Sequence, residues 1–517
     1  MNKLRSAALT SAGGGGAMRS MRLYAVLGIV AAAAASAIHA QPAPGRALLE
    51  QAAEAMGGLE RLQALDNVVL TGFGQYVNQQ GGSAPSPHAR APAKWQAAHG
   101  VERIFDLRNA RALNRDRRAY LFPFASERGQ SWERASQVQT GVAMLDHPLT
   151  ALLAALDAET SLGPVTVEDG LPVVELTIEQ GETLWLALDP ATDLPAWVRW
   201  IGPSTTLGDV THTAYFTGYL PFDGIRLPVG LASAIDWRDT TTSMFHVDSY
   251  RFDVAEIPDF PATGGGAGFG AAAGGAEAAR IADGVWDVRI GGNGGAVVEF
   301  ADHLTMFEAY GNEAATFARL DLANTLVPGK EVTEVIVSHH HFDHSGGLRA
   351  AVSRGLTIIA RRGNEGIFRE MVARPAPNFP DALARDPQPL KFMPVDEHLM
   401  LEDETMRVDV YHAIGHLHMT EAVFAYIPEH GIFLEGDFTT VDWDWHWWGG
   451  AYLDNVERYG LDPAVNIPVH GAVTTFEETL AAIEAQVRRA RDFCAQSTRA
   501  GVYPAGCPVQ YTRDLDD

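Results

Sequence analysis

The spacing of apolar and polar positions changes character twice along the 517-residue chain. Over residues 46–65 apolar side chains recur at helical spacing, with a break at Gly57-Gly58. From Val68 onward short alternating segments separated by turn residues take over. Examples are "TLWLAL" (183–188) ahead of Asp189-Pro190, and the stretches 197–200, 214–219 and 242–252. This pattern predicts a β-rich, mostly antiparallel domain over 41–262, and no histidine or carboxylate cluster with ligand spacing stands out in it. At 263–276, "TGGGAGFGAAAGGA", side chains able to build a core nearly vanish, as in a flexible linker. Beyond it the apolar runs become short and continuous, as at Val335-Ile336-Val337, which predicts buried strands. Residues 476–493 return to helical spacing and read as a closing helix ahead of the tail.

The length supports two cores plus an export segment. Arg19 and Arg22 precede the apolar run "LYAVLGIV" (23–30), alanines at 31–35, and small residues near Ala37 and Ala40. That order predicts a signal peptide over 1–40 and a periplasmic or secreted protein. The run is short and alanine-rich for a retained span. Apolar residues at 46% and charged residues at 20% are ordinary for a globular chain. The net charge of −25 argues against nucleic acid or anionic lipid as a partner, because phosphate binding relies on clustered Lys and Arg. Cys494 and Cys507 are the only cysteines. They suit either one disulfide in an oxidising compartment or two surface thiols.

Chemistry concentrates where the strand at 335–337 ends, in "SHHHFDHSGG" (338–347). His339, His341, Asp343 and His344 place three imidazoles and a carboxylate on one tight loop, a donor set that suits zinc and similar divalent ions. Gly346 and Gly347 are expected to let the backbone turn into a helix. Three later segments each follow an apolar run and end in a further donor. "MRVDVYHAIGHLHMTEAVFAY" supplies a histidine, "GIFLEGD" supplies Asp437, and "NIPVHG" supplies His470. In the first of these the register of the next strand favours His418, with His416 as the alternative. His340 and His412 read as supporting residues.

These motifs resemble the metallo-β-lactamase superfamily over 277–475. The resemblance implies an α+β fold, with an αββα sandwich in the C-terminal half behind the β-rich N-terminal domain. It also implies two metal ions, zinc first and iron or manganese as alternatives. One ion would take His339, His341 and His418, the other Asp343, His344 and His470, with Asp437 bridging both. Asp343 and Asp437 are the carboxylates assigned to catalysis. The implied reaction is attack by metal-bound hydroxide on an ester, lactone, thioester or related bond, without a serine or cysteine nucleophile. β-Lactamases of the superfamily characteristically lack the bridging aspartate, so Asp437 points toward the thioesterase, lactonase and phosphodiesterase branches. An iron-dependent oxidoreductase of the same fold and a β-lactamase are the alternatives, and a non-catalytic binding protein is the third class. Trp443, Trp445, Trp447 and Trp448 suit either an apolar wall for a small-molecule substrate or ordinary packing. "YFTGYLPFDGIRLPVGLAS" in the N-terminal domain resembles late strands of lipoprotein-carrier-like β domains; a plain structural β domain is the alternative. Oligomeric state is not readable from the sequence.

Overall fold

A computed structural model describes residues 44–85, 93–122, 132–260, 275–416, 418–439 and 449–499. The predicted signal segment, the tryptophan cluster, Cys507, the side chain of Cys494 and nearly all of the glycine-rich stretch lie outside these residues.

Two short helices, Pro44–Met56 and Leu59–Gln63, lead into an eleven-stranded antiparallel sheet running from Asn67 to Phe252. In chain-order numbers the strands lie side by side as 4-3-2-1-11-10-9-8-7-6-5, so the first strand (Asn67–Asn78) pairs with the last (Thr240–Phe252). Thr183–Leu188 is a strand with the bounds the sequence suggests, while Asn67–Asn78 and Thr240–Phe252 run longer, to 12 and 13 residues. The reason lies in register breaks. The pairing of the first strand slips between Thr71 and Gly72 and again between Gly72 and Gly74, and each slip interrupts the two-residue alternation. The sequence reading also passes over the helix Pro148–Leu156. It is apolar nearly all round because seven of its nine residues are buried. With Pro44–Met56 it covers one face of the sheet around Leu49, Leu152, Leu186 and Leu227.

From Glu277 two further sheets form. One holds seven strands and the other six, each in simple chain order. Both begin antiparallel and then acquire parallel pairs: Leu304–Phe307 beside Val332–Ile336 in the first, and Ile432–Glu435 beside Val465–Pro468 in the second. Val335, Val337, Ile358 and Ala360 face helices Glu313–Leu326, Leu348–Ser353 and Glu365–Ala373, while Ile336 and Ile359 face the other sheet. In the six-stranded sheet Val423 and Ala425 face inward, and Phe424 and Tyr426 pack on helices Gly450–Tyr459 and Phe476–Arg499. Strands buried on both faces explain the continuous apolar runs, and the layers stack as αββα. The closing helix runs to Arg499, six residues past its predicted end.

The N-terminal sheet meets the sandwich through specific polar contacts. Asp209 accepts from the backbone of Asn378 (2.7 Å), its Nδ2 (2.8 Å) and the backbone of Phe379 (3.1 Å). Arg374 donates to the Leu207 and Asp209 carbonyls and to Asp236. Trp237 joins the apolar cluster that contains Phe368 and Met371. No helix among the described residues is long and apolar enough to cross a membrane.

Candidate metal centre

Every side chain that the sequence singles out as a donor sits just past a buried strand. His339 to His344 follow Val332–Ile336, His418 lies between Arg407–His412 and Val423–Ile427, Asp437 follows Ile432–Glu435, and His470 follows Val465–Pro468. The strand ends are drawn close together. A Cβ on Gly436 would come within 2.4 Å of Ser338 Oγ, so only glycine permits that approach. Gly346 and Gly347 lead into the helix Leu348–Ser353 as expected, and they also serve the same close approach. Their φ values of −61° and −97° are open to any residue, but a Cβ would lie 1.9 Å from the Gly311 carbonyl and 1.7 Å from Thr316 Oγ1.

The seven predicted residues form two adjoining groups, His339, His341, His418 and Asp437 in one and Asp343, His344 and His470 in the other. Within each group the donor atoms lie within 4.8 Å of one another. Asp437 reaches both. Its Oδ2 lies 2.8 Å from His418 Nε2 and 3.7 Å from His339 Nε2, while Oδ1 lies 3.1 Å from His344 Nε2 and 3.3 Å from His470 Nε2. Asp343 Oδ2 stands 3.5 Å from His470 Nε2. His416 stays outside both groups, edge-on to Phe438 at 4.7 Å, and burial pushes it down to about 3. His340 packs beside His341 and is also pushed down to about 3 by burial, while His412 donates to the Thr420 carbonyl.

The far side of four of the rings is engaged by further residues, of which only Ser338 belongs to a ligand motif. Ser338 Oγ lies 2.9 Å from His339 Nδ1, Glu308 Oε1 lies 3.3 Å from His344 Nδ1, and Asn293 Oδ1 accepts from His470 Nδ1 at 2.9 Å. His341 Nε2 donates to the Gly82 carbonyl at 2.9 Å, which leaves Nδ1 as its lone-pair nitrogen. Such partners fix ring orientation and tautomer in metal sites. Arg319, wholly buried, donates to the carbonyls of Val288, Phe307 and Glu308 and so holds Glu308 in place at φ 79°.

The electrostatics favour a cation. Burial pushes His339 and His341 well below the ordinary histidine value, and neighbouring imidazoles add to this, so both rings are neutral and able to donate lone pairs. Burial acts on His344 in the same direction, but Asp437, Asp343 and Glu308 outweigh it and hold that ring well above the usual value. Burial would raise Asp437, yet His344 first, then hydrogen bonds from His344 and His418, keep it well below the carboxylate range. His344 Nε2 and His470 Nε2 face each other across 3.3 Å, a separation that two lone pairs hold only with a proton or a metal ion between them. Imidazole and carboxylate donors, supported from behind and converging on shared points, fit divalent metal.

Residues 296–458 match the family model described as "Metallo-beta-lactamase superfamily". Among curated proteins no match is found. Solved structures similar to part of the chain include TMB-1, at 18% identity over 42% of this chain and 99% of that one, with a TM-score of 0.31. A metallo-beta-lactamase from Pontibacter korlensis shares 16% identity over 41% and 98% of the two chains, with a TM-score of 0.31. FIM-1 from Pseudomonas aeruginosa, in its mono-zinc form, shares 16% over 42% and 96%, with a TM-score of 0.29.

Proposed function

With a metallo-β-lactamase-superfamily domain in the C-terminal half as the premise, we propose that the protein is an exported dinuclear metal-dependent hydrolase acting on an ester, lactone, thioester or related bond. The observation that carries the reading is Asp437, whose two carboxylate oxygens face two separate histidine groups. His339, His341 and His418 would hold one ion and Asp343, His344 and His470 the other, with zinc the metal these donors suit first. Bound divalent ions there would lower the pKa of water and polarise the substrate oxygen. The chain's own groups do the rest. Asp437 fixes the spacing of the two groups and, by its charge, keeps the neighbouring imidazoles directed inward. Asp343, the more exposed of the two aspartates, would be the carboxylate placed to take up a proton during hydrolysis. The buried shell of Tyr310 and the histidine rings excludes bulk water from the far side.

In this reading the small-molecule substrate carries an acyl chain or aromatic ring, the chemistry that the tryptophan-rich sequence at 443–448 would suit. Trp447→Ala should raise KM for long-chain esters and leave short-chain ones unchanged. A uniform effect, or none, removes the pocket assignment. The domain division of 41–262, 263–276 and 277–475, and export directed by residues 1–40, belong to the same proposal.

The deciding experiment measures metal content of protein purified without added metal, then screens zinc-loaded and chelator-treated protein against lactones, thioesters, phosphodiesters and β-lactams. Hydrolysis restored by zinc supports the reading. Tightly held iron with oxygen consumption and no hydrolysis overturns it.

A further inference from the structure

A turn of the N-terminal sheet reaches the candidate ligands. The short turn Gln79–Gly81 follows the first strand, and Gly82 and Ser83 come after it. His341 Nε2 donates to the Gly82 carbonyl at 2.9 Å, across 259 residues of chain. Thr420, two residues past His418, donates to the Ser83 carbonyl from both its backbone N–H (2.8 Å) and its hydroxyl (3.0 Å). Two separate ligand loops therefore close on one short segment.

The segment is itself held from its own side. Asn78 Oδ1 accepts from the Gly81 backbone at 3.1 Å, and Thr206 donates to Gln80 Oε1 at 3.0 Å. A carbonyl can only accept, so its partner nitrogen on His341 must carry the proton, and the lone pair then lies on Nδ1. His339, His344 and His470 obtain the corresponding support from Ser338, Glu308 and Asn293, all within the sandwich. For His341 the support comes from the other sheet.

We propose that the segment Gln80–Ser83 is a working part of the metal centre, with the Gly82 carbonyl as the group that positions His341 to present Nδ1 toward His339, His418 and Asp437. This rests on the metal-site reading above. It assigns the N-terminal sheet a direct part in metal retention, beyond covering the sandwich. Partners of this kind are typically worth about 10–100-fold in metal affinity.

The test uses the full chain, stripped with chelator and titrated with cobalt and with zinc against a competing chelator. Wild-type protein is compared with a deletion of Gly82 and with Thr420→Val. The deletion should weaken one ion by about 10–100-fold while the other stays within about threefold. In zinc-loaded protein with 15N-labelled histidine, the slowly exchanging Nε2 ring proton of His341 should disappear in the deletion and persist in wild type. A fold-only role would move neither the selective affinity nor that proton. Should the deletion fail to fold by circular dichroism, Thr420→Val decides the matter with a smaller, same-site loss of affinity. Equal affinity for both ions in a folded variant, with the ring proton intact, overturns the positioning role while leaving the metal site standing. Wild-type protein that takes up no metal overturns both.

Discussion

Two buried histidines, one in each half of the molecule, are equally hidden from solvent and opposite in meaning. His147 in the N-terminal sheet is fully buried; its Nδ1 accepts from the Leu149 backbone at 3.3 Å and its Nε2 donates to Tyr250. Tyr250 in turn donates to the Pro228 carbonyl, which closes the chain of bonds. His344 in the sandwich is just as buried, but only its Nδ1 side leads to support, at Glu308, while Nε2 points at Asp437, Asp343 and His470. Burial therefore does not distinguish a core histidine from a candidate ligand. What distinguishes them is whether the second nitrogen ends in a closed hydrogen-bond chain or meets other donors at a common point.

The largest expected break in that contrast is Asp437→Ala, which removes the one side chain shared by both donor groups. For the dinuclear hydrolase proposed above, metal content should fall from two ions per chain to one or none, and turnover by about 10³-fold, since several kcal/mol of charge stabilisation go with it. Full activity with both ions retained would sink the bridging assignment. Glu308→Gln keeps shape and removes charge behind His344, so the second group should lose about 10–100-fold in affinity while the first holds. Chelator competition resolves the two sites, and parallel weakening of both would show that Glu308 acts only through the fold.

Asp209→Ala probes the contact between the halves instead of either histidine. It leaves the backbone N–H groups of Asn378 and Phe379 without their acceptor and should cost about 1–3 kcal/mol in denaturant unfolding. Metal stoichiometry should remain that of wild type. The smallest effect concerns His147 itself. Burial first, then Arg103, keeps its folded pKa well below 6.5, so the unfolded chain takes up a proton that the folded one refuses. Stability attributable to this ring therefore declines as pH falls below about 6.5 and is unaffected above it. His147→Asn, which retains a cap for the following helix, should flatten that part of the stability curve without changing metal content. An unchanged slope would show that other groups dominate the acid limb.

Most donors were readable in sequence because they follow a short, largely buried strand: Asp437 comes two residues after Ile432–Glu435 and His470 two after Val465–Pro468, whereas His418 lies in the loop six residues past Arg407–His412. Five histidines and two aspartates could thus be picked out from four local motifs, and the structure brings all seven together. The choice of His418 over His416 was also local, since it followed from the register of the next strand. Support for the ligands was not readable. Asn293 lies 177 residues from His470, and Glu308 is an ordinary glutamate after a four-residue strand. Gly82 acts through a backbone carbonyl, which no sequence pattern marks. In the N-terminal half, register slips hid the lengths of the strands, and uniform burial hid the periodicity of Pro148–Leu156.

The pairing of Asn67–Asn78 with Thr240–Phe252 has a kinetic consequence. The N-terminal sheet cannot be completed until its eleventh strand exists, and the turn at Gly82 then waits for a histidine made much later still. Assembly dominated by such distant partners is slow and leaves strand edges open in the meantime. Ordering of His341 is accordingly expected among the last events of folding, after both halves have formed and met.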